Sequence, residues 1–543
     1  MIRIVLLLDS LEVSAWVYES ILQVTKVPNA RLVLAVINES PKSSGKKSPF
    51  LYRVYRYLDR KLFLKQPDAF SKKNLTSIPG WNVPKLLAQP VQKKYSDYFT
   101  SDTLEQIKLS KPDVILRFGF RIIKGDILNL APLGVWSYHH GDPLRYRGGP
   151  PGFWEVMNQE ETTGAVLLQL SEKLDDGMVL YQSHAQTDPL SVQRNANKVF
   201  WTSSYFIARV LNEISVLRLE KWKRKVENSQ APKKEKVPIL TPPNSSKMIS
   251  AWLGLWTRNF ARKISEGSKK PYWEITVANR TSEQDVLNQA FEFKKTPFPE
   301  KTLEKGSFWA DPFPLDFEGK TWVFFEEFDY SQKKGKIGVG HWDGNTLQKT
   351  KVILEENWHL SYPFVWEENG SHFLIPESAE SGKLFIYKSF EFPYKWESLG
   401  VFFEGEAFDP TILKKDGIYW LFVNRRPHPG TSGFVELYVY YSKNLVNPDW
   451  IPHALNPIVS DVRSSRPAGR IFEQDGKFYR PAQDSGRRYG HRIKIQEILS
   501  LSESEYSEKT VRIMEGDEEK GVFGMHTFNF TSSWIFSDAY SRK

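Results

Sequence analysis

The chain has 543 residues, of which 40% are hydrophobic, 14% aromatic and 25% charged, and its formal net charge is +10. A single hydrophobic core stops growing below this length, so the sequence predicts a multidomain protein. The hydrophobic and aromatic content excludes a largely disordered chain. Cysteine is absent, which excludes disulfides, thiolate zinc sites and a cysteine nucleophile.

Strand-like and helix-like segments alternate in the N-terminal part of the chain. Apolar runs predict strands at residues 2–8, 32–37 and 114–116, and helical spacing of apolar residues predicts a helix at residues 14–24. Such alternation favours a parallel sheet with crossover helices, which is a Rossmann-like α/β domain.

Several classes of function are excluded or disfavoured by local features. The turn after the first strand, Asp9–Glu12, contains no glycine, so a dinucleotide fingerprint is missing. The apolar run Ile4–Leu8 is too short for a secretory signal, so we expect a cytoplasmic protein. No nucleic-acid-binding motif accompanies the positive charge, so we expect an anionic substrate or a membrane surface and no nucleic acid.

Two basic segments have apolar residues at helical spacing. Leu51–Phe63 predicts an amphipathic helix packed on the sheet, or alternatively a surface for anions or lipid head groups. Met248–Ile264 predicts a helix that docks between domains or makes a peripheral membrane contact. The apolar residues expected near one face of this second helix are Trp252, Leu255, Trp256 and Phe260.

Titratable residues concentrate between Gly134 and Gly177, among further strand-like segments. They are His139, His140, Asp142, Asp175 and Asp176. Such groups converge in clefts where catalysis occurs, so we interpret this stretch as the active-site core of an enzyme. Helices at residues 154–157 and 195–216 and a strand at residues 166–170 complete the predicted domain.

Three landmarks in this region resemble the N-terminal domain of the 10-formyltetrahydrofolate-dependent formyltransferases. They are Phe118-Gly119-Phe120 before an Ile- and Leu-rich helix at residues 122–128, Ser137-Tyr138-His139 before Arg147-Gly148, and Asp175-Asp176-Gly177. His139, and not His140, has the family's spacing to Arg147 and to Asp175. The resemblance covers roughly residues 1–220 and implies the family's fold.

The resemblance also implies roles for single residues. Formyl transfer to an amine passes through a tetrahedral intermediate whose oxygen needs hydrogen-bond donors. By resemblance, His139 polarises the formyl group or moves the proton, and Asp175 orients His139. Ser137 is the third catalytic candidate, and it stands where the family has an asparagine, whose carboxamide is longer than a serine hydroxyl.

The remaining candidates in this domain surround these three residues. Contacts to 10-formyltetrahydrofolate are expected from Phe118, Gly119, Phe120, Asp176 and Gly177, and contacts to the acceptor from His140, Asp142 and Arg147. Asp142 either pairs with the acceptor amine or caps a turn, and Arg147 either binds a phosphate or carboxylate or ties its loop to the sheet. No metal is expected.

The second half of the chain repeats a unit of two short strands. Each copy has a proline, a strand, a turn glycine and an aromatic strand; the prolines are Pro312, Pro363, Pro410 and Pro467, and the glycines are Gly319, Gly370, Gly417 and Gly476. Their spacing is about the length of a four-stranded blade. With a fifth unit near residues 524–529 and a closing strand at residues 272–278, the sequence predicts a five-bladed β-propeller.

This half resembles the propellers of glycoside hydrolases acting on arabinan, xylan or fructan, and the N-terminal region of plant glucosaminyl inositolphosphorylceramide transferases. By resemblance, the cavity-facing residues are Asp311, Glu377, Asp409, Arg466, Asp484 and His526. The three alternatives are glycan binding without hydrolysis, a purely structural role, and hydrolysis by the carboxyl groups of Asp311, Glu377 and Asp409.

The sequence thus predicts a formyltransferase-like domain at residues 1–225, a linker and basic helix at 226–270, and a propeller at 271–543. We expect an enzyme that transfers a formyl group from 10-formyltetrahydrofolate to an amine on a sugar or glycan precursor, either nucleotide- or lipid-linked. The alternative is an inactive formyltransferase fold that carries a glycan-binding or glycan-hydrolysing propeller. The sequence leaves the oligomeric state open.

Overall fold

The computed structural model describes residues 1–40, 48–173, 176–230, 237–267, 271–280, 286–296 and 307–542. It divides into two compact units, Met1–Asn259 with His428–Ser432, and Phe260–Pro427 with Gly433–Lys543. Within the described ranges, no helix combines the length and the apolar content that crossing a membrane requires.

The first unit contains short and long strands together with most of the helices. Its strands are β1 (Ile2–Leu8), β2 (Glu12–Ser14), β3 (Ala30–Asn38), β4 (Lys72–Asn74), β5 (Lys85–Ala88), β6 (Val91–Gln92), β7 (Ser96–Tyr98), β8 (Val114–Arg117), β9 (Ile122–Lys124), β10 (Val135–His139), β11 (Arg147–Gly148), β12 (Thr162–Gln169), β13 (Met178–Gln186) and β14 (Ile239–Leu240). The α-helices are α1 (Ala15–Thr25), α2 (Phe50–Phe63), α3 (Ser101–Leu109), α4 (Phe153–Met157), α5 (Val192–Ser203), α6 (Phe206–Leu217), α7 (Leu219–Asn228) and α8 (Ser245–Gly267).

A seven-stranded mixed sheet forms the centre of this unit, in the order β13–β12–β10–β8–β1–β3–β5. The five strands from β10 to β5 are parallel, whereas β12 and β13 are antiparallel. The predicted parallel sheet is therefore confirmed, with two antiparallel strands added at one edge. Residues Ile4–Leu8 of β1 are buried, as expected for a central parallel strand that is covered on both faces.

Two predicted helices are wrong. Residues 195–216 form α5 and α6 with a break at Ser204 and Tyr205, because Ser203 Oγ and Ser204 Oγ donate to backbone carbonyls one turn earlier, at 3.0 and 2.7 Å. Such bonds compete with the helical backbone pattern. Residues 122–128 form β9 and the start of a 3₁₀ turn, Asp126–Asn129, separated by Gly125 with φ +81°.

The two basic helices differ in how well they were predicted. The amphipathic helix at residues 51–63 is confirmed as α2, which buries Tyr55 and Asp59. The single apolar face predicted for α8 is wrong, because Leu255 is buried whereas Trp256 and Phe260 are each 68% exposed. Consecutive residues of a helix point about 100° apart, so Leu255 and Trp256 cannot share one narrow face.

The second unit consists of strands arranged in five antiparallel sheets. Its strands are β15 (Pro271–Asn279), β16 (Lys294–Lys295), β17 (Ser307–Phe317), β18 (Lys320–Asp329), β19 (Lys334–Trp342), β20 (Leu347–Leu354), β21 (Ser361–Glu368), β22 (Ser371–Glu377), β23 (Lys383–Glu391), β24 (Lys395–Glu404), β25 (Phe408–Lys415), β26 (Ile418–Asn424), β27 (Glu436–Ser442), β28 (Ile451–Pro452), β29 (Val459–Ser460), β30 (Arg466–Pro467), β31 (Phe472–Gln474), β32 (Lys477–Asp484), β33 (Arg492–Leu501), β34 (Tyr506–Glu515), β35 (Phe528–Phe530) and β36 (Trp534–Arg542).

The five sheets follow one another along the chain. Three contain β17–β20, β21–β24 and β25–β29, a fourth contains β30–β34, and the fifth pairs β15 with β36 and adds β16 and β35. Hydrophobic clusters lie between each sheet and the next, and one cluster joins the β30–β34 sheet to the fifth sheet. The sheets therefore form a closed cycle, in which the first and last strands of the unit share one sheet.

The predicted repeat has one recurring turn. Gly319, Gly370, Gly417 and Gly476 all have φ between 71° and 75°, and the residue before each glycine also has a positive φ. Two successive residues with positive φ are typical of the type I′ turn, which favours glycine and matches the twist of a β-hairpin. The glycines therefore mark equivalent hairpins in four of the five sheets.

Candidate active site

A cavity of about 80 Å³ lies at the carboxyl ends of β8 and β10 in the first unit, and Arg117, Ser137 and His139 line it. Ser137 and His139 are two residues apart on β10, so their side chains point to the same side of the strand. Ligands of open α/β sheets bind at the carboxyl ends of the strands. The structure thus brings together two of the three predicted catalytic residues.

Arg117 is the cavity residue that sequence reasoning missed. Its Nη1 donates to Ser137 Oγ at 2.9 Å, and its Nε and Nη2 donate to the carbonyl oxygens of Phe120 and Arg121 at 2.7 to 3.1 Å. These bonds fix the guanidinium beside Ser137. A charged residue at the end of the otherwise apolar strand β8 was the signal that could have identified it.

His139 has a defined hydrogen-bond partner. Its Nε2 lies 2.8 Å from the carbonyl oxygen of Tyr146. A carbonyl can only accept, so in this arrangement Nε2 carries a proton. Asp175, the predicted orienting carboxylate, lies outside the described residues, and its role stays a prediction.

The predicted cofactor contacts Phe118, Gly119 and Phe120 do not line this cavity. A Cβ on Gly119 would lie 2.3 Å from the backbone nitrogen of Asp9, so only glycine allows this close approach of the chain. Phe120 has φ +64° and its N–H donates to Asp9 Oδ1 at 2.7 Å. The three residues therefore form a tight turn, and the carbonyl oxygens of its last residue, Phe120, and of the next residue, Arg121, accept from Arg117.

The candidates Asp176 and Gly177 precede β13. A Cβ on Gly177 would lie 2.1 Å from the carbonyl oxygen of Gln169, so glycine is required where the chain passes β12. Asp176 is half-buried. Neither residue is among those that line the 80 Å³ cavity.

His140 lies in an aromatic environment beside the site. Its ring stacks on Phe200 with centroids 3.5 Å apart, and its Nε2 lies 2.9 Å from Ser203 Oγ. Burial, helped by the nearby His139, lowers the pKa of His140 to about 3, so its ring is neutral at neutral pH. Such a group fits a packing role or a neutral contact better than an anion-binding one.

Asp142 and Arg147 occupy the loop after β10. Asp142 Oδ1 accepts from the backbone N–H of Leu144 at 2.9 Å, which is the turn role that the sequence left open. Arg147 and His140 line a smaller cavity of about 10 Å³. The backbone of Arg147–Gly148 pairs with β14, a strand formed by residues that the sequence predicted to be linker.

Glu155 of α4 borders this smaller cavity and leads to a pH prediction. It is 2% exposed, and burial raises its pKa to about 7. A raised carboxyl pKa stabilises the folded state below the unfolded pKa of about 4.3, and this contribution is lost as the pH rises through about 7. Between about pH 5 and about pH 8, the wild type should lose up to about 3 kcal/mol of its free energy of unfolding through this group. We therefore expect its Tm to fall more over this range than the Tm of Glu155→Gln.

Differential scanning fluorimetry at both pH values checks this prediction. The matched control is Glu161→Gln, because Glu161 is an exposed carboxylate nearby, and this variant should follow the wild type. Parallel pH curves for the wild type and Glu155→Gln would contradict the prediction.

A second candidate site is a buried cluster of charged residues in the second unit. Asp409 accepts from Arg466 Nη2 at 3.0 Å, and Glu377 accepts from the same nitrogen at 3.3 Å. All three side chains are more than nine-tenths buried. The structure thus brings Glu377, Asp409 and Arg466 together, and their predicted place in a propeller cavity stays a prediction.

Asp311 and His526 belong to the same cluster. Thr527 Oγ1 donates to Asp311 Oδ1 at 2.6 Å, and His526 Nδ1 pairs with Asp538. Ligand atoms of Asp311, His526 and Asp538 lie within 4.8 Å of one another, close enough to hold a metal ion, which the sequence did not lead us to expect.

The carboxylates of this cluster connect neighbouring sheets. The backbone N–H of Tyr362 on β21 donates to Asp311 on β17, and that of Asp409 on β25 donates to Glu377 on β22, both at 3.0 Å. Asp311, Tyr362 and Asp409 each precede a repeat proline and have φ between 44° and 51°. The hydrogen bonds stabilise this uncommon backbone conformation, so the carboxylates have a structural role.

The electrostatics of the cluster separate its acids. Burial, together with the surrounding carboxylates, raises the pKa of Glu377 and of Glu326 well above the usual range. Burial also raises the pKa of Asp311, although the charge of His526 acts in the opposite direction. The raised pKa of each favours the protonated form of Glu377 and of Glu326, beside the carboxyl group of Asp409 that Arg466 binds.

Three members of the cluster were missed and one candidate lies apart. Gln483 belongs to the cluster because its Nε2 donates to Asp409 Oδ2 at 2.8 Å. Glu326, Gln483 and Asp538 carry no motif that distinguishes them from other strand residues. Asp484 pairs with Arg492 and Lys494 at 2.8 and 3.0 Å, and these cations lower its pKa despite the opposing effect of burial. In the part of the chain that the structure describes, no hydrogen bond or ion pair joins Asp484 to the cluster.

These two folds and their sites define a fusion of a formyltransferase-like α/β unit with an all-β unit. Residues 296–531 match the family described as Glucosamine inositolphosphorylceramide transferase 1, N-terminal. The chain is 38% identical over 210 residues to Glucosamine inositolphosphorylceramide transferase 1 of Arabidopsis thaliana. The aligned region covers 38% of this chain and 27% of that protein.

The other comparisons concern both units. The chain is 33% identical over 95 residues to the methionyl-tRNA formyltransferase of Chlorobium chlorochromatii (strain CaD3). The aligned region covers 18% of this chain and 29% of that protein. A solved structure, RS223-Beta-xylosidase, is similar with a TM-score of 0.33 and 12% identity, over 44% of this chain and 93% of that one.

Two of the three resemblances drawn from the sequence are confirmed by these relatives: the resemblance to formyltransferases for one unit and the resemblance to the plant transferases for the other. The matches to the plant relatives cover between 27% and 29% of their own length.

Proposed function

We propose that the first unit transfers a formyl group from 10-formyltetrahydrofolate to an amine of a sugar or glycan precursor. The observation that carries this proposal is the guanidinium of Arg117, held beside Ser137 in the cavity that His139 lines. A fixed guanidinium offers hydrogen bonds and positive charge to the oxygen that becomes negative in the tetrahedral intermediate. Arg117 thus compensates for the short side chain of Ser137.

The chemistry assigns a task to each group in the cavity. The amine nitrogen attacks the formyl carbon, and the bond between that carbon and the folate nitrogen breaks. The proton that the amine loses ends on the folate nitrogen, and His139 is the cavity group that can carry it. A cavity of about 80 Å³ has room for the formyl group and its nearest atoms, since one water needs about 10–15 Å³.

The acceptor we propose is an amino sugar attached to a lipid or a nucleotide. The name of the plant relatives joins glucosamine, an amino sugar, to inositolphosphorylceramide, a lipid. An amino sugar supplies the nucleophilic nitrogen that formyl transfer requires. The same chain would then contain the catalytic unit and a unit for the carbohydrate.

The test is the release of tetrahydrofolate from 10-formyltetrahydrofolate in the presence of a panel of amino-sugar nucleotides and lipid-linked amino sugars. We expect turnover with one of them and its loss in His139→Ala. The matched control is His341→Ala, because His341 is a half-buried histidine of the second unit, on β19. A wild-type protein that neither turns over any acceptor nor binds 10-formyltetrahydrofolate in calorimetry would rule the proposal out.

We further propose that the five sheets are the blades of a β-propeller that binds carbohydrate. The closed cycle of sheets supports the propeller. A cavity of about 360 Å³ supports the binding, because Trp366 and Tyr419 line it together with the ion pair of Glu368 and Lys414. Aromatic faces with a few polar groups are typical of small-molecule sites of this size.

Glycan-array binding by the full chain tests the second role. Trp366→Ala should abolish the signal. Trp358→Ala is the matched control, because both tryptophans stack on a phenylalanine with ring centroids 5.5 Å apart and Trp358 does not line the cavity. Equal signals from the two variants would contradict a site at Trp366.

Hydrolysis is the alternative that the electrostatics of the charged cluster favour. Glycosidases use one carboxyl group with a raised pKa as the acid and a second carboxyl group beside it, and Glu377, whose pKa is raised by burial, lies beside Asp409 in this way. In this case a formyltransferase fold without activity would carry a hydrolysing propeller. Glycosidase activity that Asp311→Asn leaves unchanged would contradict this alternative.

A further inference from the structure

A row of exposed apolar side chains follows α8 in the first unit. Ile249, Leu253 and Trp256 are 49%, 61% and 68% exposed, and their spacing places them on one side of the helix. The buried side of the same helix consists of Met248 and Leu255. The helix therefore has two adjacent apolar faces, of which the second is open to solvent.

The neighbouring helix α2 also has exposed aromatic side chains. Tyr55 of α2 and Trp252 of α8 pack against each other with ring centroids 5.9 Å apart, and both helices contribute to one hydrophobic cluster around Phe153. On the outward side of α2, Phe50 and Tyr57 are exposed.

The exposed charges of α2, and the charges of α8 up to residue 261, have one sign. The outward side of α2 carries Arg53 and Lys61, which are exposed. The single acidic residue of α2, Asp59, is buried and accepts from Ser191 Oγ and the backbone N–H of Gln193, each at 2.7 Å. Residues 245–261 contain no Asp or Glu.

We propose that the outward faces of α2 and α8 bind the surface of a bilayer that contains anionic lipids. Helices that lie in the plane of a membrane have aromatic and aliphatic side chains on one face and Lys or Arg beside them, and Trp and Tyr favour the level of the lipid head groups. A protein partner with an apolar surface would not explain why α2 and residues 245–261 of α8 present basic side chains and no exposed acidic one. This inference is independent of the proposed reaction, and no residue of α2 or α8 is among those that line the cavity of Arg117.

Vesicle flotation of the full chain tests the inference. We expect binding to phosphatidylcholine vesicles that contain phosphatidylglycerol, weaker binding to pure phosphatidylcholine, and weaker binding as salt is added, because salt screens the attraction. Leu253→Glu/Trp256→Glu should abolish binding. Arg53→Ser/Lys61→Ser should weaken it by about fivefold for each cation removed.

The matched control is Phe390→Glu/Leu499→Glu, which alters two exposed apolar residues of the second unit and should bind as the wild type does. Circular dichroism and Tm establish that each variant is folded, and turnover of a soluble acceptor should stay unchanged.

Three results would overturn the inference. They are a wild type that does not bind anionic vesicles, equal binding by Leu253→Glu/Trp256→Glu, and a wild-type dimer that this variant converts to a monomer, which would make the face an interface between two copies.

Discussion

Replacing Arg117 by methionine is expected to lower kcat for formyl transfer by about 10²–10³ with little change in KM. Methionine keeps much of the side-chain volume but removes the positive charge and the donors that face Ser137. A donor aimed at the developing oxyanion acts on the transition state more than on the bound substrate, so kcat should carry the loss. Steady-state release of tetrahydrofolate measures both constants.

Two further variants make this expectation specific. Ser137→Ala should cost less than Arg117→Met, because the guanidinium stays bound to the carbonyls of Phe120 and Arg121. Adding Ser137→Asn to Arg117→Met should recover part of the lost rate, because asparagine restores the carboxamide that the formyltransferase family has at this position.

The control for this series is Arg31→Met. Arg31 is exposed and lies at the amino end of β3, the opposite edge of the sheet from the cavity. Wild-type kcat in Arg117→Met would contradict the proposed role of Arg117.

Replacing Arg466 by methionine is expected to lower the free energy of unfolding by about 3–5 kcal/mol. Arg466 is buried and forms hydrogen bonds with both Asp409 and Glu377. Without Arg466, Asp409 would remain buried among other carboxyl groups and would have lost its cationic partner. Urea denaturation of the full chain, followed through the transition of the all-β unit, measures the change.

Arg426→Met is the control for this loss. Arg426 forms a two-point ion pair with Glu406, but both side chains are substantially exposed, so its removal should cost less than about 1 kcal/mol. Similar stabilities for Arg466→Met and Arg426→Met would contradict the view that Arg466 neutralises the buried carboxylates.

Local patterns were sufficient to predict much of the architecture. The apolar run that becomes β1 is a buried central strand, and the run that becomes β3 is the parallel strand beside it. The spacing to Arg147 selected His139, which lines the cavity together with Arg117 and Ser137. The four turn glycines predicted the hairpins of the second unit, because a type I′ turn needs a positive φ that glycine adopts without strain. Each of these features depends on a few consecutive residues.

The sequence was less informative where an element depends on its surroundings. The helix predicted at residues 195–216 is broken because two serine hydroxyls bond to the backbone, and α8 divides its apolar residues between a buried and an exposed face. Residues predicted to be linker contribute β14, which pairs with Arg147–Gly148. Apolar spacing alone cannot distinguish these outcomes.

By itself, the sequence determined the two classes of fold and the repeat of the second unit. Only the tertiary structure placed Arg117 against Ser137, and Glu377 and Asp409 against Arg466. The partners in these contacts are between 20 and 89 residues apart in the chain. No local pattern encodes such a pairing, because strand order and the packing of neighbouring sheets decide which side chains meet.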